Sequence, residues 1–117
     1  MEKIYEGEYR LMEVLWGSGP VKSTRLVELC RERFGWNKST TYTVLRKLKK
    51  KGAVRHEEAV VTPVLTRAEA VRMEGEELAV RAGGVTPFLT AFLRGRKLTM
   101  EEAEALKELI DRQMGEE

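Results

Sequence analysis

Long apolar runs, cysteines and histidines are scarce in this 117-residue sequence, and their scarcity excludes several classes of protein. No run approaches the roughly 18 apolar residues that suggest a membrane-spanning helix, and the N-terminal residues lack the apolar stretch of a secretory signal. Cys30 is the only cysteine, so an intrachain disulfide and a thiolate metal cage are both excluded. We therefore expect a cytoplasmic protein without membrane association, metal or cofactor, in which Cys30 packs as a small hydrophobe.

Catalytic motifs are also missing from the chain. The sequence contains one histidine, no nucleophile–base pair, no glycine-rich phosphate loop and no metal-ligand spacing. Hydrophobic residues make up 42% and charged residues 34% of the chain, which is enough apolar matter for a folded core. These observations predict a binding protein rather than an enzyme.

Positive charge is concentrated in the middle of the sequence. Residues 1–21 carry two cations and four anions, residues 22–67 carry twelve cations and four anions, and residues 68–117 carry seven cations and eleven anions. The overall charge of +2 therefore hides a basic central block between acidic flanks. Such a block is typical of a face that binds a polyanion.

The first half of the chain predicts three helices followed by a β-hairpin. Apolar residues recur at three- and four-residue spacing over residues 6–16, 23–34 and 37–51, which indicates amphipathic helices. Short β-branched runs then flank Glu58-Ala59, which predicts two antiparallel strands joined by a tight turn. This order is typical of a winged helix-turn-helix domain, which we assign to residues 1–65.

The third helix is the predicted DNA-reading element. Asn37 is suited to cap it and Gly52 to end it. One face carries small hydroxyls and then cations, which can approach base edges and phosphates in the major groove. The alternative is a solvated surface helix. The face comprises Ser39, Tyr42, Thr43, Arg46 and Lys50, with Lys47 and Lys50 the expected phosphate pair.

The second half predicts a helical dimerisation domain over residues 66–117. Thr66 caps a helix from Arg67, Thr86-Pro87 opens a short apolar helix, and Thr99 with Glu102 forms a capping box for the last one. Helices of this size rarely close their own core, so they dock onto the winged helix or onto a second copy. We favour the second copy. The residues expected at the dimer contact are Phe88, Leu89, Phe92, Leu93, Leu106, Leu109, Ile110 and Met114.

A series of motifs runs in order along nearly the whole chain, namely Glu8-Tyr9, Leu11-Met12, Leu15-Trp16, Gly19-Pro20, Gly35-Trp36, Thr40, Thr43, Arg46, Leu48, Lys50-Lys51-Gly52, Thr62-Pro63-Val64, Gly83-Gly84, Phe92 and Lys97-Leu98-Thr99. In their order and spacing these motifs resemble the penicillinase repressor (BlaI/MecI-type) regulators. The resemblance implies a homodimeric repressor whose third helix reads a palindromic operator in double-stranded DNA. It extends the predicted DNA-binding set to Thr40.

Several residues depart from the family pattern. Lys38-Ser39 stands where the family often has Pro-Lys, which implies a different operator sequence. The wing is short and carries Glu57 and Glu58 near its tip, where phosphates would repel them. The family also implies a regulatory protease that cleaves before a phenylalanine, and the matching bond here is Ala91-Phe92.

Two other functions are compatible with the same elements. A winged helix can serve only as a protein-interaction module, although the basic central block disfavours this interpretation. The chain can also be a small-molecule-sensing regulator of another winged-helix family, with a ligand cavity near Phe88 and Phe92.

Overall fold

A computed structural model describes residues 1–115 of the chain. The helices are α1 (Glu6–Ser18), α2 (Ser23–Phe34), α3 (Lys38–Lys51), α4 (Arg67–Ala82), α5 (Val85–Leu93) and α6 (Met100–Gly115). The strands are β1 (Val21–Lys22), β2 (Val54–Glu57) and β3 (Val60–Pro63). Across residues 1–115, no helix combines the length and the apolar character needed to cross a membrane.

Contacts within the chain form two compact units, which divide between Glu77 and Leu78. The first unit contains α1 to α3, the sheet and most of α4, and its core is built from large apolar side chains of these elements. The fully buried ones include Leu11, Met12, Leu15, Leu26, Leu45, Leu48 and Val61. This core fixes the orientation of α3. The functional division at residues 65/66 stays a prediction.

The sheet has three strands in the order β1-β3-β2, all antiparallel. The predicted hairpin is confirmed, and β1 joins it as a third strand that the sequence did not predict. Val21 pairs with Val61 in the structure. A two-residue strand has no detectable periodicity, and its partner is distant in sequence, so the sequence gives no local sign of this pairing.

The predicted tight turn of the wing lies at Glu58 and Ala59. Both residues have positive φ angles, 51° and 65°, as the type I′ turn that suits a two-residue hairpin requires. The Ala59 carbonyl accepts a hydrogen bond from the Ser23 backbone N–H at 2.8 Å. The wing tip is thereby attached to the start of α2.

Capping boxes begin α4 and α6. Thr99 and Glu102 exchange hydrogen bonds of 3.0 Å between side chain and backbone, which confirms the prediction. Thr66 and Glu69 form the same pair of bonds at 2.9 and 3.1 Å. In both pairs the threonine hydrogen bonds lower the pKa of the glutamate. The threonine hydroxyls thus accept from glutamate amides that the first helical turn leaves unpaired, and the carboxylates accept from the threonine amides.

The start of α5 differs from its prediction. Thr86 was expected to cap this helix and Pro87 to be its first residue, but the cap is Gly84 and the helix begins at Val85. Gly84 has φ 138°, a conformation that side chains disfavour. Pro87 is therefore the third helical residue, where its missing N–H costs little because the first turn lacks intrahelical acceptors.

Cys30 is fully buried, as expected of a packed small hydrophobe. Desolvation raises the pKa of its thiol to about 11, against the opposing effects of the Thr41 hydrogen bond and the Arg33 charge. Since the thiolate is the reactive form, a water-soluble thiol reagent near neutral pH should label Cys30 only after the protein unfolds. Labelling of the folded protein at the rate of the unfolded chain would contradict this expectation.

The raised pKa of Cys30 also determines how its contribution to the stability of the folded state changes with pH. The folded state holds the thiol proton more tightly than the unfolded state, so this contribution to stability is complete below the ordinary pKa of 9.0 and is lost as pH rises toward about 11. The difference in melting temperature between the unaltered chain and Cys30→Ala should narrow over that range.

Candidate nucleic-acid interface

Helix α3 begins and ends at residues suited to those positions. The Asn37 side chain accepts a hydrogen bond from the Thr40 backbone N–H at 2.8 Å, which confirms the predicted N-cap. Gly52 adopts the left-handed conformation with φ 79° and closes the helix. Thr41, Leu45 and Leu48 are its buried residues, and they attach the helix to the core.

The side of α3 opposite this buried face is an exposed stripe, defined by Ser39, Thr43, Arg46 and Lys50. At 3.6 residues per turn these four positions fall within about 60° of one another around the helix axis. Hydroxyls occupy the first turns of the stripe and cations the later ones. Thr40 and Lys47 are also exposed and flank the stripe on one side.

Hydrogen bonds order the hydroxyl end of the exposed stripe. The Ser39 hydroxyl donates to Asn37 Oδ1 at 2.8 Å, and the Thr43 hydroxyl donates to the Ser39 carbonyl at 2.9 Å. Arg46 Nη2 donates to Thr43 Oγ1 at 3.4 Å. Both hydroxyl protons already have acceptors, so from outside the protein these oxygens can only accept hydrogen bonds, and the Thr43 oxygen keeps one lone pair for this beside Arg46.

Tyr42 differs from the other predicted DNA-binding residues because it is half-buried. Its side chain packs against the core cluster, and the Lys38 ammonium lies 6.0 Å from the ring centroid. Tyr42 therefore borders the exposed stripe rather than lying on it. The aromatic ring can support Lys38 through a cation–π contact.

The four lysines near the end of α3 have two different environments. Lys47, Lys49 and Lys50 are exposed, whereas the Lys51 side chain is only 11% exposed. Lys51 Nζ donates to Glu8 Oε1 at 2.7 Å. This contact with α1 was not predicted, although Lys51 lies seven residues after Val44, a spacing that puts both at the edge of the buried face.

The wing is acidic at its tip, as expected from the sequence. Arg55 is the cation of this hairpin, and its Nε lies 3.9 Å from Glu57 Oε1. Glu57 and Glu58 are both exposed. The exposed cations of α3 therefore have no counterpart at the wing tip, and α3 carries most of the positive charge of this surface.

The comparisons with known proteins agree with this geometry. The sequence model described as "Penicillinase repressor" matches residues 4–112. The chain belongs to the penicillinase repressor family. A curated relative, the penicillinase repressor of Bacillus licheniformis, is 23% identical over 115 residues, which cover 93% of this chain and 90% of the relative.

A solved member of the penicillinase repressor family confirms the winged-helix fold. The solution structure of the DNA-binding domain of the repressor BlaI is 26% identical to this chain, with a TM-score of 0.53. The similarity covers 59% of this chain and 93% of that domain. Membership also confirms that the chain is not an enzyme, because the family consists of transcriptional repressors.

The second compact unit exposes most of the apolar residues that the sequence predicts at a dimer contact. None of the described residues in α5 or α6 is buried. A groove of about 630 Å³ runs along these helices. Five of the predicted residues line it, namely Leu89, Phe92, Leu93, Leu106 and Ile110. Phe88, Leu109 and Met114 lie outside its lining.

The predicted cleavage position lies inside a helix. Ala91 and Phe92 are both exposed residues of α5. The Phe92 ring is 6.2 Å from the Phe88 ring and 4.6 Å from the Arg96 guanidinium, measured from ring centroids. The side chains are accessible, but the peptide bond between residues 91 and 92 is in helical conformation.

Proposed function

We propose that this chain is a sequence-specific transcriptional repressor that binds a palindromic operator as a homodimer. Membership of the penicillinase repressor family and similarity to the DNA-binding domain of BlaI support a DNA-binding repressor. The observation that carries the proposal is the exposed stripe of α3, with acceptor hydroxyls in its first turns and Arg46 and Lys50 in its later ones.

Base reading is assigned to the first three turns of α3. The major groove of DNA, about 12 Å wide, admits a helix. Ser39, Thr40 and Thr43 carry short side chains that allow the helix to approach base edges closely. Arg46 can donate two parallel hydrogen bonds to a guanine, the commonest specific contact of arginine with DNA.

Phosphate binding is assigned to Lys47 and Lys50, whose ammonium groups are exposed near the end of α3. Each phosphate neutralised by a lysine adds about 0.9 to the slope of log affinity against log salt concentration. Lys50→Ala should therefore reduce this slope by about 0.9 in titrations of duplex DNA. Lys97→Ala, which removes an exposed lysine outside α3, is the matched control. An unchanged slope for Lys50→Ala would mean that Lys50 is only solvated.

Dimerisation is assigned to the apolar residues of α5 and α6. Six of the eight predicted residues are exposed, with Met114 at 71% and Ile110 at 53%. Apolar surface of this extent is unusual on a soluble monomer, and a two-fold interface would cover it with the same surface of a second copy. Sedimentation of the intact protein tests this assignment, since a homodimer should be present at micromolar concentration.

A regulatory protease is a further proposed partner. Cleavage between Ala91 and Phe92 would separate α6 from the rest of the chain and so divide the proposed dimer contact. Because proteases bind extended substrate segments, α5 must open locally before the bond is cut. Local opening of α5 is therefore the step at which such a signal would act.

The small-molecule alternative is represented by the apolar groove near Phe92. If the groove takes a ligand instead of a second copy, the intact protein should sediment as a monomer and still bind a single half-site. In a homodimer the second copy would fill the groove instead.

A further inference from the structure

The N-terminal segment, residues Met1–Tyr5, precedes α1 and contacts the end of α3. Lys51 Nζ donates to the Lys3 carbonyl at 2.6 Å and to Glu8 Oε1 at 2.7 Å. The same ammonium lies 4.8 Å from the Tyr5 ring centroid. Glu8 Oε1 in turn accepts from the Tyr5 backbone N–H at 2.9 Å. The last helical residue of α3 is thus held by backbone, carboxylate and ring together.

The same segment is also fixed to α4. Lys3 Nζ lies 2.9 Å from Glu77 Oε1. Ile4 is buried and belongs to the core cluster that includes Leu48 of α3 and Ala70 of α4. The segment therefore connects the C-terminal end of α3 with α4.

Because the contact between α3 and the N-terminal segment is buried, it restricts the end of α3 to one position. The side chains of Lys51 and Glu8 are 11% and 6% exposed, and Glu8 Oε2 is buried without a hydrogen-bond partner among the described residues. A buried charge whose partner is removed is strongly destabilised. The end of α3 consequently has one favourable position, the one in which Lys51 meets Glu8 and the Lys3 carbonyl.

We propose that the N-terminal segment positions the recognition helix, and that Lys51 is the residue through which it acts. This inference rests on the proposed function of α3 in reading DNA. Lys51 is a positioning residue and not a phosphate ligand, because its ammonium group hydrogen-bonds to the Lys3 carbonyl and to Glu8 and lies 4.8 Å from the Tyr5 ring centroid. Arg46 and Lys50 lie within the last two turns of α3, so a shift of its end moves both relative to the DNA.

This role predicts that specific and non-specific DNA binding respond differently. Hydrogen bonds to base edges need donor–acceptor distances near 2.9 Å, whereas phosphate attraction tolerates small displacements because it depends weakly on direction. Loosening the end of α3 should therefore weaken binding to the preferred sequence and leave general affinity for DNA nearly unchanged.

The test compares Lys51→Met with the unaltered chain on two duplexes. One duplex is the sequence that the unaltered chain selects from a random pool, and the other is a scrambled duplex of equal length and composition. We expect affinity for the selected duplex to fall by about fivefold or more, the lower limit for losing one good base contact. We expect the salt slope to stay unchanged and affinity for the scrambled duplex to change by less than about twofold.

The matched control is Lys49→Met, which removes an exposed lysine two residues earlier on α3. It should leave the ratio of the two affinities unchanged. Folding of each variant is checked by its melting temperature, and binding is measured well below it. If Lys51→Met does not fold, Tyr5→Leu replaces it, since Tyr5 is 61% exposed and its ring contacts Lys51. The same results are expected.

Two results would overturn the positioning role. A salt slope lower by about 0.9, with equal losses on both duplexes, would make Lys51 a phosphate ligand. Unchanged affinity for both duplexes in a folded variant would limit Lys51 to stabilising the fold.

If the unaltered chain selects no sequence, the proposed function fails, and the positioning role fails with it. If the chain selects a sequence and Lys51→Met discriminates equally well, only the positioning role fails.

Discussion

Replacing Ile110 by glutamate is expected to convert the dimer to a monomer and to lower operator affinity by roughly 10²- to 10⁴-fold, the gain that linking two binding modules provides. Ile110 is 53% exposed in the single chain and lines the apolar groove of α5 and α6. In the proposed interface each new carboxylate would be taken out of water into an apolar contact, and such burial of charge is unfavourable. Sedimentation and operator titration measure the two effects.

The matched control for Ile110→Glu is Ala68→Glu, which adds the same charge at an exposed residue in the first turn of α4. It should remain dimeric and bind the operator as the unaltered chain does. Truncation after Gly84 provides a second test, because it removes α5 and α6 entirely. The shortened chain should bind each half-site independently. If either Ile110→Glu or the shortened chain is a monomer and still binds the operator with full affinity, dimerisation and DNA binding are not coupled.

Arg46→Ala is expected to cost roughly 1–3 kcal/mol of operator binding free energy, which is the discrimination supplied by one bidentate contact with a base. Arg46 lies on the exposed stripe of α3 and donates to Thr43 Oγ1, which directs its guanidinium along the stripe. If Arg46 reads a guanine, the variant should lose preference at one base pair of each half-site and keep its preferences elsewhere.

The control for Arg46→Ala is Arg10→Ala, which removes an exposed arginine of α1 that pairs with Glu6. Its operator affinity should be unchanged. Competition titrations against operators altered at single base pairs identify the position that Arg46 reads. Equal affinity of Arg46→Ala and the unaltered chain for the operator would remove Arg46 from the interface.

The sequence predicts those parts of the fold whose signals are local. Asn37 caps α3, and Thr99 with Glu102 caps α6, because a short polar side chain near the start of an apolar-periodic segment satisfies nearby amides. Helical spacing also places Ser39, Thr43, Arg46 and Lys50 together on the exposed stripe of α3, but it did not indicate that Tyr42 packs against the core. The turn at Glu58-Ala59 was predicted from the short β-branched runs on either side of it.

Features that depend on distant contacts could not be predicted in this way. The pairing of β1 with β3 joins residues about forty positions apart in the chain, and the buried pair Lys51–Glu8 joins the end of α3 to α1. In the sequence Lys51 is one of several lysines that would be expected to be solvated. Only tertiary packing distinguishes it from Lys50. The start of α5 was predicted incorrectly because Thr-Pro is a common cap signal, whereas Gly84 can adopt a backbone conformation that threonine disfavours.

Selection of bound duplexes from a random DNA pool by the intact protein is the most direct test of a dimeric, sequence-specific repressor. A dimeric repressor should enrich one palindrome, with two inverted half-sites whose centres lie about one helical turn, near 34 Å, apart or a multiple of it. Bases within each half-site should be constrained where α3 reads the major groove. Recovery of no preferred sequence would contradict sequence-specific binding, and recovery of a single site without two-fold symmetry would contradict binding as a homodimer.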